Sequence, residues 1–299
     1  MASIGLSAYG MTAATLVELA VSADALGFDA LWIGEHLLRP VTQTGEHPST
    51  GTTQHHKGPL IDTDTELTDP LVVHAAVAAR TERIKMGTSV YLAPLRHPLH
   101  TARSTITVQE LSGGRLLLGV GVGWQQEEFA AFDVPFRTRV SRTEECVEIL
   151  RAAWSGAEFA HSGKHFRFDA VQVHPRQVEI PVIMGGNAPL ALARAARLGD
   201  GWFTSGTPDF AEARRLVAEI HEQREVQRRT GPFTTYVRAP KADVAELRRY
   251  EDGGLTDLVL WADNVWRGRT LEERRDNLAA FAADAGLTPV AVSRGGALA

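Results

Sequence analysis

The stretch that decides the fold is "GRLLLGVGVGWQQEEF", Gly114 to Phe129. The apolar run Leu116 to Leu118 is typical of a buried strand, and glycines follow at every second position, Gly119, Gly121 and Gly123. A dinucleotide-binding fingerprint has the spacing Gly-x-Gly-x-x-Gly directly after a strand and at the start of a helix. Because the third glycine comes one position early, the stretch does not match that fingerprint.

The residues further along also differ from a dinucleotide-binding unit. Such a unit ends its second strand with an acid about 20 residues after the glycines. Here Val140, Val147, Leu150 and Trp154 recur at helical spacing, which predicts a helix over 140–154. The glycines therefore lie in a loop between a strand and a helix, in the middle of the chain.

Strand and helix patterns alternate along the rest of the chain. This alternation is typical of a parallel sheet, and eight units predict an α/β protein with a closed (β/α)8 barrel, the TIM barrel. We expect residues 1–299 to form a single domain of this kind. Strands are predicted at 4–8, 28–36, 83–94, 115–121, 180–186, 200–206, 232–239 and 255–263, and helices at 16–26, 69–80, 98–111, 140–154, 189–199, 207–220, 243–254 and 270–286.

Residues typical of helix ends support these bounds, because side-chain oxygens cap the first turn and glycine tolerates the conformation that follows the last turn. Proline is also favoured in the first turn of a helix. The predicted caps are Gly27 and Gly199 at C-terminal ends, Asp69 followed by Pro70, Thr207 with Pro208 inside the helix, and the capping box Thr270 with Glu273.

Two insertions interrupt the alternation, at 39–68 after strand two and at 156–179 before strand five. Loops of this length in a compact domain are usually lids, binding loops or disordered segments. The second insertion has the pattern of a small hairpin. The histidines of the first insertion do not have the spacing of a metal site, so we expect no metal ion there. A lid and a disordered tip are the two alternatives for this loop. Its candidate ligand-contacting residues are His47, His55, His56 and Lys57.

The composition excludes several classes of protein. A net charge of −5 argues against a nucleic-acid-binding protein, whose binding face is basic. Nothing approaches the roughly 20 apolar residues of a membrane span, and no early run resembles a signal peptide. The single cysteine, Cys146, excludes an intrachain disulfide. We expect a cytoplasmic protein that acts on a small molecule, without nucleic acid or membrane as partner, and we expect a homodimer.

In a barrel of this kind the glycines of strand four lie at the C-terminal mouth, where barrel enzymes place their active sites. Four stretches, "DALWIGEH", "GTSVYLAPLRHP", "LSGGRLLLGVGVGWQQEEF" and "IMGGNAPLALARAARLGDGW", follow one another in the order and spacing of the luciferase-like monooxygenase superfamily. The chain resembles most the branch of oxidoreductases that use coenzyme F420, an 8-hydroxy-5-deazaflavin. The resemblance covers about residues 2–286.

The resemblance implies a cofactor that lies across the mouth with its ring at the barrel axis. A cis peptide bond behind the central ring would correspond to Ser89–Val90. Gly121 and Gly123 would let the backbone approach the ring and the ribityl chain, although tight closure of the barrel would also require glycine. Trp124 would stack on the cofactor or form a wall of the substrate pocket.

The motif "GGNAPL" is the predicted phosphate site of that cofactor. Gly185 and Gly186 end strand five, and Asn187 is placed to cap the next helix. Free backbone N–H groups and the positive end of the helix dipole favour an anion at such a position. An ordinary strand-to-helix turn, which also favours Gly and Asn, is the alternative.

His36 is the candidate proton-transfer residue, because it ends strand two at the mouth and imidazole titrates near neutral pH. A structural histidine bonded to a backbone carbonyl is the alternative. Glu35 matches an acidic position of related deazaflavin dehydrogenases. Where the sugar-phosphate dehydrogenases of the family have their proposed proton donor, this chain has Trp124. Glu127 is therefore the candidate acid; its neighbour Glu128 is equally placed, and both could simply favour the helix dipole.

These observations predict hydride transfer between coenzyme F420 and an organic substrate that the sequence does not identify. An FMN-dependent monooxygenase is the first alternative, because some members of the superfamily bind FMN. A non-catalytic flavin-binding protein is the second.

Overall fold

Eight parallel strands close into a barrel within the part of the chain that the computed structural model describes, residues 2–42 and 61–289. The predicted (β/α)8 TIM barrel is therefore confirmed. The barrel strands are β1 (Ser3–Ala8), β2 (Ala30–Ile33), β3 (Lys85–Thr88), β4 (Leu116–Val120), β7 (Val182–Gly185), β8 (Gly201–Phe203), β9 (Thr234–Arg238) and β10 (Asp257–Trp261). Around the barrel the order is β1, β10, β9, β8, β7, β4, β3, β2 and back to β1.

Helices surround the barrel and follow the strands as predicted, with one addition. A short helix comes directly after the glycine loop of β4, and its six residues are too few for a periodic pattern to reveal. The helices are α1 (Ala13–Leu26), α2 (Pro70–Ala78), α3 (Pro98–Ser112), the added α4 (Gln126–Ala131), α5 (Arg139–Trp154), α6 (Pro189–Leu198), α7 (Phe210–Val226), α8 (Val244–Asp252) and α9 (Leu271–Asp284).

The second predicted insertion contains the expected hairpin, in which β5 (Phe159–Ser162) pairs antiparallel with β6 (Arg167–Val171). Residues 43–60 of the first insertion lie outside the described residues, and with them the four polar residues singled out in that loop. Within the described ranges, His, Cys, Asp and Glu side chains form no group of three or more that could hold a metal ion. No helix in those ranges is long and apolar enough to cross a membrane.

The predicted helix ends are correct in most cases. Gly27 adopts the left-handed conformation after α1, with φ 89°. The Asp69 carboxylate accepts the first N–H groups of α2, and the capping box is complete at α9. Gly199 ends α6, but with an extended backbone.

The predicted start of the sixth helix is wrong by two to three residues. Helix α7 begins at Phe210, and Asp209 is its N-cap. The Asp209 carboxylate accepts the N–H of Glu212, so it fills the capping position that we assigned to Thr207. Thr207 and Pro208 therefore precede the helix.

Aromatic side chains fill the centre of the barrel. The inward-facing cluster is built around Trp32, whose ring centroid lies 4.8 Å from that of Phe203 and 4.6 Å from that of Tyr236. Gly87 makes room for the Trp32 ring, because a Cβ at that position would overlap the indole. The other members of the cluster are Ala30, Leu117, Ile183 and Val259. The apolar faces of the helices pack on the outside of the strands in a second and larger core.

Candidate active site

The segment after β3 forms one side of the barrel mouth. The peptide bond between Ser89 and Val90 is cis, as predicted. Val90 is half-buried and points towards the ends of β4 and β7. A Cβ on Gly121 would overlap Val90 Cγ2, and a Cβ on Gly185 would lie 2.9 Å from Val90 Cγ1. Both glycines therefore make room for the Val90 side chain, which forms an apolar surface between three strands.

Contacts within the protein explain why glycine occupies two positions of the loop after β4. Gly121 accommodates Val90, so the structure favours tight closure of the barrel as the reason for glycine at this position. Gly123 has a left-handed backbone with φ 78°, and a Cβ there would lie 2.7 Å from the Phe129 ring. Contact of Gly121 and Gly123 with a cofactor stays a prediction.

The loop between β7 and α6 is held by three hydrogen bonds. Asn187 Oδ1 accepts the N–H of Ser205 at 2.8 Å, and Asn187 Nδ2 donates to the Ser205 carbonyl at 2.8 Å. Trp202 Nε1 donates to the carbonyl of Gly186 at 2.8 Å. The loop is thus fixed against the end of β8.

The predicted capping role of Asn187 is wrong, because its amide is committed to Ser205. Ala188 occupies the N-cap position of α6, and no described side chain caps this helix. Gly186 has φ 113°, a conformation that favours glycine. The start of α6 follows this bend and is exposed. Pro189 has no N–H and the N–H of Ala191 donates to the Ala188 carbonyl at 2.7 Å, so an anion at this position would meet the N–H of Leu190.

Two buried polar atoms without a partner among the described residues lie beside the Val90 surface. Within the described residues, Ser89 Oγ and Tyr9 Oη make no hydrogen bond although both atoms are buried. The two residues are neighbours in the mouth: a Cβ on Gly34 would lie 3.1 Å from Tyr9 and 3.5 Å from the carbonyl of Ser89. Burial raises the pKa of Tyr9, which keeps its hydroxyl protonated as a donor. Such atoms are usually satisfied by water or a ligand.

His36 is bonded to a carboxylate and not to a backbone carbonyl. Its Nδ1 lies 3.0 Å from Oε2 of Glu128, and the Glu128 side chain is fully buried. Oε1 of Glu128 accepts the N–H of Leu37 at 2.6 Å, which aligns the carboxylate with the end of strand two. The imidazole ring contacts the edges of Tyr9 and Trp124, with centroid distances of 6.0 and 5.6 Å.

The structure brings Glu128, rather than Glu127, to His36. Successive residues of a helix point in directions about 100° apart, so only one of the two acids of α4 can face the histidine. Glu127 is half-buried in the same turn. Its catalytic role stays a prediction. Sequence reasoning could not choose between the two, because it did not place α4.

Glu35 has a structural role that was not predicted from the sequence. Its buried carboxylate accepts Arg96 Nη1 at 2.9 Å, Arg96 Nη2 at 2.8 Å and the N–H of Leu92 at 2.8 Å. Burial raises the pKa of Glu35, while Arg96 and the Leu92 N–H act in the opposite direction. The pair ties the segment after β3 to the end of β2. Both oxygens of Glu35 are engaged, so its predicted contact with a cofactor has no support from this geometry.

The opposite side of the mouth contains a buried cation, Arg238, which sequence reasoning also missed. Arg238 is the last residue of β9 and is 5% exposed. Its guanidinium carbon lies 4.8 Å from the centre of the Phe203 ring and 4.2 Å from that of Trp261. An arginine at the end of a central strand is a detectable signal, because charged residues are rarely buried without a partner.

Two open depressions elsewhere lie at the other end of the barrel, where the chain enters β4 and β7. Their volumes are about 410 and 430 Å³, and the loop 177–179 contributes to both. Neither contains a residue of the mouth. Both depressions are therefore separate from the candidate active site.

The chain is similar in sequence to known proteins over most of its length. An uncharacterised protein of Mycobacterium tuberculosis is 32% identical over 250 residues, which cover 82% of this chain and 83% of the relative. The F420-dependent glucose-6-phosphate dehydrogenase of Nakamurella multipartita is 30% identical over 199 residues, 64% of this chain and 51% of that enzyme.

Solved structures share the fold at low sequence identity. A monooxygenase of Streptomyces bottropensis superposes with a TM-score of 0.71 at 19% identity, covering 94% of this chain and 98% of that one. The coenzyme F420-dependent tetrahydromethanopterin reductase of Methanopyrus kandleri superposes with a TM-score of 0.70 at 16% identity, covering 93% and 97%.

The family model described as luciferase-like monooxygenase matches residues 2–249, from β1 into α8. With this match across most of the barrel, and with a relative 32% identical over most of both chains, the protein belongs to the luciferase-like monooxygenase family.

Proposed function

We propose that this protein is an F420-dependent oxidoreductase that transfers a hydride between the deazaflavin and an organic substrate. The observation that carries the proposal is the His36–Glu128 pair at the mouth, a histidine held by a buried carboxylate next to the apolar Val90 surface. A family member named F420-dependent supports the choice of cofactor.

The residues of the mouth fit a flat cofactor. Gly121 and Gly185 have no side chains where a Cβ would meet Val90, so this part of the rim presents a smooth face. Ser89 Oγ and Tyr9 Oη are buried beside it without a described partner, so both are available to polar atoms of a ring. The uncapped start of α6, after Gly186, would take the phosphate of the cofactor. When bound, the deazaflavin supplies the site that accepts or donates the hydride.

A side chain of the protein must accept or donate the proton that accompanies hydride transfer. When a substrate is oxidised, a hydride leaves its carbon and a proton leaves the neighbouring oxygen or nitrogen, and both bonding electrons of the C–H bond go with the hydride. With Nδ1 of His36 donating to Glu128, Nε2 is the nitrogen left to receive that proton; it makes no hydrogen bond to a described residue. In the reverse direction Nε2 returns the proton to the reduced substrate.

The test is a titration of the purified protein with oxidised F420 and, separately, with FMN, each followed by absorbance. We expect tighter binding of F420. FMN bound at least tenfold more tightly would overturn the deazaflavin assignment and favour the monooxygenase reaction. Binding of F420 without turnover of any alcohol, aldehyde, ketone or enone offered would favour a non-catalytic binding protein.

A homodimer and a cytoplasmic location remain part of this proposal. Light scattering after size-exclusion chromatography tests the dimer, and a mass of one chain would contradict it.

A further inference from the structure

We propose that Arg238 binds a carboxylate of the substrate, so that the organic substrate of this enzyme is a carboxylic acid anion. The inference rests on the proposed oxidoreductase function and specifies the substrate class for the same site. Its starting point is that Arg238 and Val90 lie on opposite sides of the barrel.

The order of the strands places Arg238 across the mouth from Val90. β9 is four strands away from β3 in both directions around the barrel. Tyr236 of β9 points into the barrel interior, and side chains two residues apart on a strand share a face. Arg238 therefore points inward one layer above Tyr236, at the mouth. A flat cofactor lying on the Val90 surface would leave its other face, and the substrate on it, towards Arg238.

Arg238 is a buried cation that no carboxylate in the described ranges pairs with. Its Nη2 donates to Ser7 Oγ at 3.0 Å and its Nη1 to the carbonyl of Gly206 at 3.3 Å. Both acceptors are uncharged. Its Nε–H is buried and has no acceptor among the described residues.

The charge of Arg238 is retained at neutral pH, and no described side chain compensates it. Burial lowers the pKa of Arg238 to about 9, and no carboxylate of the described residues opposes the shift. A buried charge without a counter-ion is costly, and such residues concentrate at functional sites. An anionic ligand would supply the missing charge and accept the free N–H groups.

The surroundings of the guanidinium favour a carboxylate over a phosphate. The rings of Phe203 and Trp261 lie against the guanidinium group, so a ligand would meet the N–H groups at its edge. A planar carboxylate matches that edge with two parallel hydrogen bonds. One cation balances the single charge of a carboxylate, whereas a phosphate carries nearly two.

The test measures thermal unfolding of the full chain without cofactor, in sodium acetate and in sodium chloride at equal ionic strength. Acetate is the anionic probe, acetamide the neutral probe of the same shape, and inorganic phosphate the second anion. At ten times its Kd, acetate should raise the Tm of the wild type by about 2 °C. Acetamide should have no such effect. A wild type that responds equally to acetate and acetamide would overturn the proposal.

Two variants and a matched control locate the effect. We expect Arg238→Gln to abolish the response to acetate, and Arg238→Lys to weaken it because the two-pronged donor is lost. Arg224→Gln is the control: Arg224 is 6% exposed, lies 4.2 Å from the Phe233 ring and donates to the carbonyl of Gly231, but it is on α7 and next to the chain entering β9. This control should keep the acetate response.

The remaining outcomes are also decisive. If Arg238→Gln loses the phosphate response and keeps the acetate response, the ligand is not a carboxylate. If Arg238→Gln keeps the acetate response but no longer binds F420, Arg238 belongs to the cofactor site. If neither variant folds, the comparison of acetate with acetamide on the wild type still decides. The thermal unfolding measurements with acetate, acetamide and phosphate do not require F420, so failure of the proposed function would be seen separately in the cofactor titration.

Discussion

At the scale of single residues, the site depends on which of two neighbouring acids faces His36. The Glu128 carboxylate holds Nδ1 of His36 and the N–H of Leu37, and it is fully buried, whereas Glu127 is half-buried. A carboxylate in this position fixes the tautomer of the imidazole, so that Nε2 carries or receives the proton. Glu128 is thus a positioning residue that acts through His36.

We expect His36→Ala to lower turnover by about 10²- to 10⁴-fold, because proton transfer contributes this much in enzymes. The Kd of F420 should change far less. The measurement is kcat with a turned-over substrate beside a cofactor titration of the same preparation. A variant with near-normal kcat and a lowered Tm would show that His36 is structural.

The two acids can be separated by a matched pair of variants. Glu128→Gln should lower kcat while KM for F420 stays near the wild-type value, because the amide no longer holds His36 in one tautomer. Glu127→Gln is the control and should have the smaller effect. The reverse order would return the catalytic role to Glu127.

We expect Gly186→Val to weaken F420 binding while the protein stays folded. Gly186 has φ 113°, and a Cβ there would lie 2.9 Å from the Ala191 Cβ in the first turn of α6. Gly231→Val is the control, since Gly231 has φ 101° with open space around it and lies at the entrance to β9. Both variants carry backbone strain, but only the first should lose cofactor affinity. Equal affinities in two folded variants would place the phosphate elsewhere.

At the scale of helices and strands, α2 is attached to the barrel through a buried histidine. His74 of α2 is fully buried, and its Nε2 lies 2.9 Å from the carbonyl of Gly87 in β3. Burial lowers the pKa of His74 from 6.5 to about 4. The ring is therefore neutral, with Nε2–H as the donor to the carbonyl.

This histidine should make the fold sensitive to acid. Between pH 6.5 and about 4 the unfolded chain binds a proton at His74 that the folded chain does not, so stability falls as pH drops through this window. Below about pH 4 the folded and the unfolded chain both bind this proton, and the loss of stability is complete. A shift of this size corresponds to roughly 3 kcal/mol.

The measurement is the free energy of unfolding in urea at several pH values, for the wild type and for His74→Gln. Glutamine keeps a donor for the Gly87 carbonyl and does not titrate, so the slope in this window should become shallower. The absolute stability at pH 7 serves as the reference for each variant. Identical slopes would show that other groups dominate acid unfolding.

The long elements could be predicted from sequence because their patterns repeat several times. Helices such as α1 and α5 present three or more turns of apolar spacing. Helix α4 has six residues and no such pattern, so the partner of His36 was ambiguous. Asn187 was assigned to the wrong partner for a related reason: a cap is a local contact, whereas Ser205 lies on another strand end.

The side-chain partners of Arg238 and Glu35 could not be predicted from local patterns. Arg96 becomes the partner of Glu35 only when the segment after β3 folds against β2. The isolation of Arg238 becomes visible only when β9 and β10 are paired and their neighbours are known. A barrel brings strand ends together that are more than 200 residues apart, as with Arg238 and Ser7. The type of fold was therefore predictable, and the pairing of side chains in its mouth was not.

At the scale of the whole molecule, the first and last repeating units complete the barrel. β1 pairs with β10 over five residues, from Ser3 with Asp257 to Ser7 with Trp261. On the surface, Glu18 of α1 accepts Arg80 after α2 and Arg275 of α9. The residues proposed for the mouth come from strands throughout the barrel, so a ligand there contacts the complete structure.

We expect unfolding of the protein to be a single transition that F420 shifts as a whole. At a concentration one hundred times its Kd the cofactor should add about 2.7 kcal/mol to the free energy of unfolding. Differential scanning calorimetry with and without F420 checks this. Two transitions of which only one moves would show that part of the chain folds independently of the mouth.

The aromatic residues at the centre of the barrel determine how substrate and product reach and leave the site. The barrel interior below the mouth is filled by Trp32, Phe203 and Tyr236, so the mouth is closed at its inner end. Ligands must therefore enter and leave through the same opening. If the cofactor lies on the Val90 surface and the substrate on its other face, product must depart before the next substrate arrives. Product should therefore compete with substrate for the same form of the enzyme. Release of product through the single opening would then limit the turnover rate.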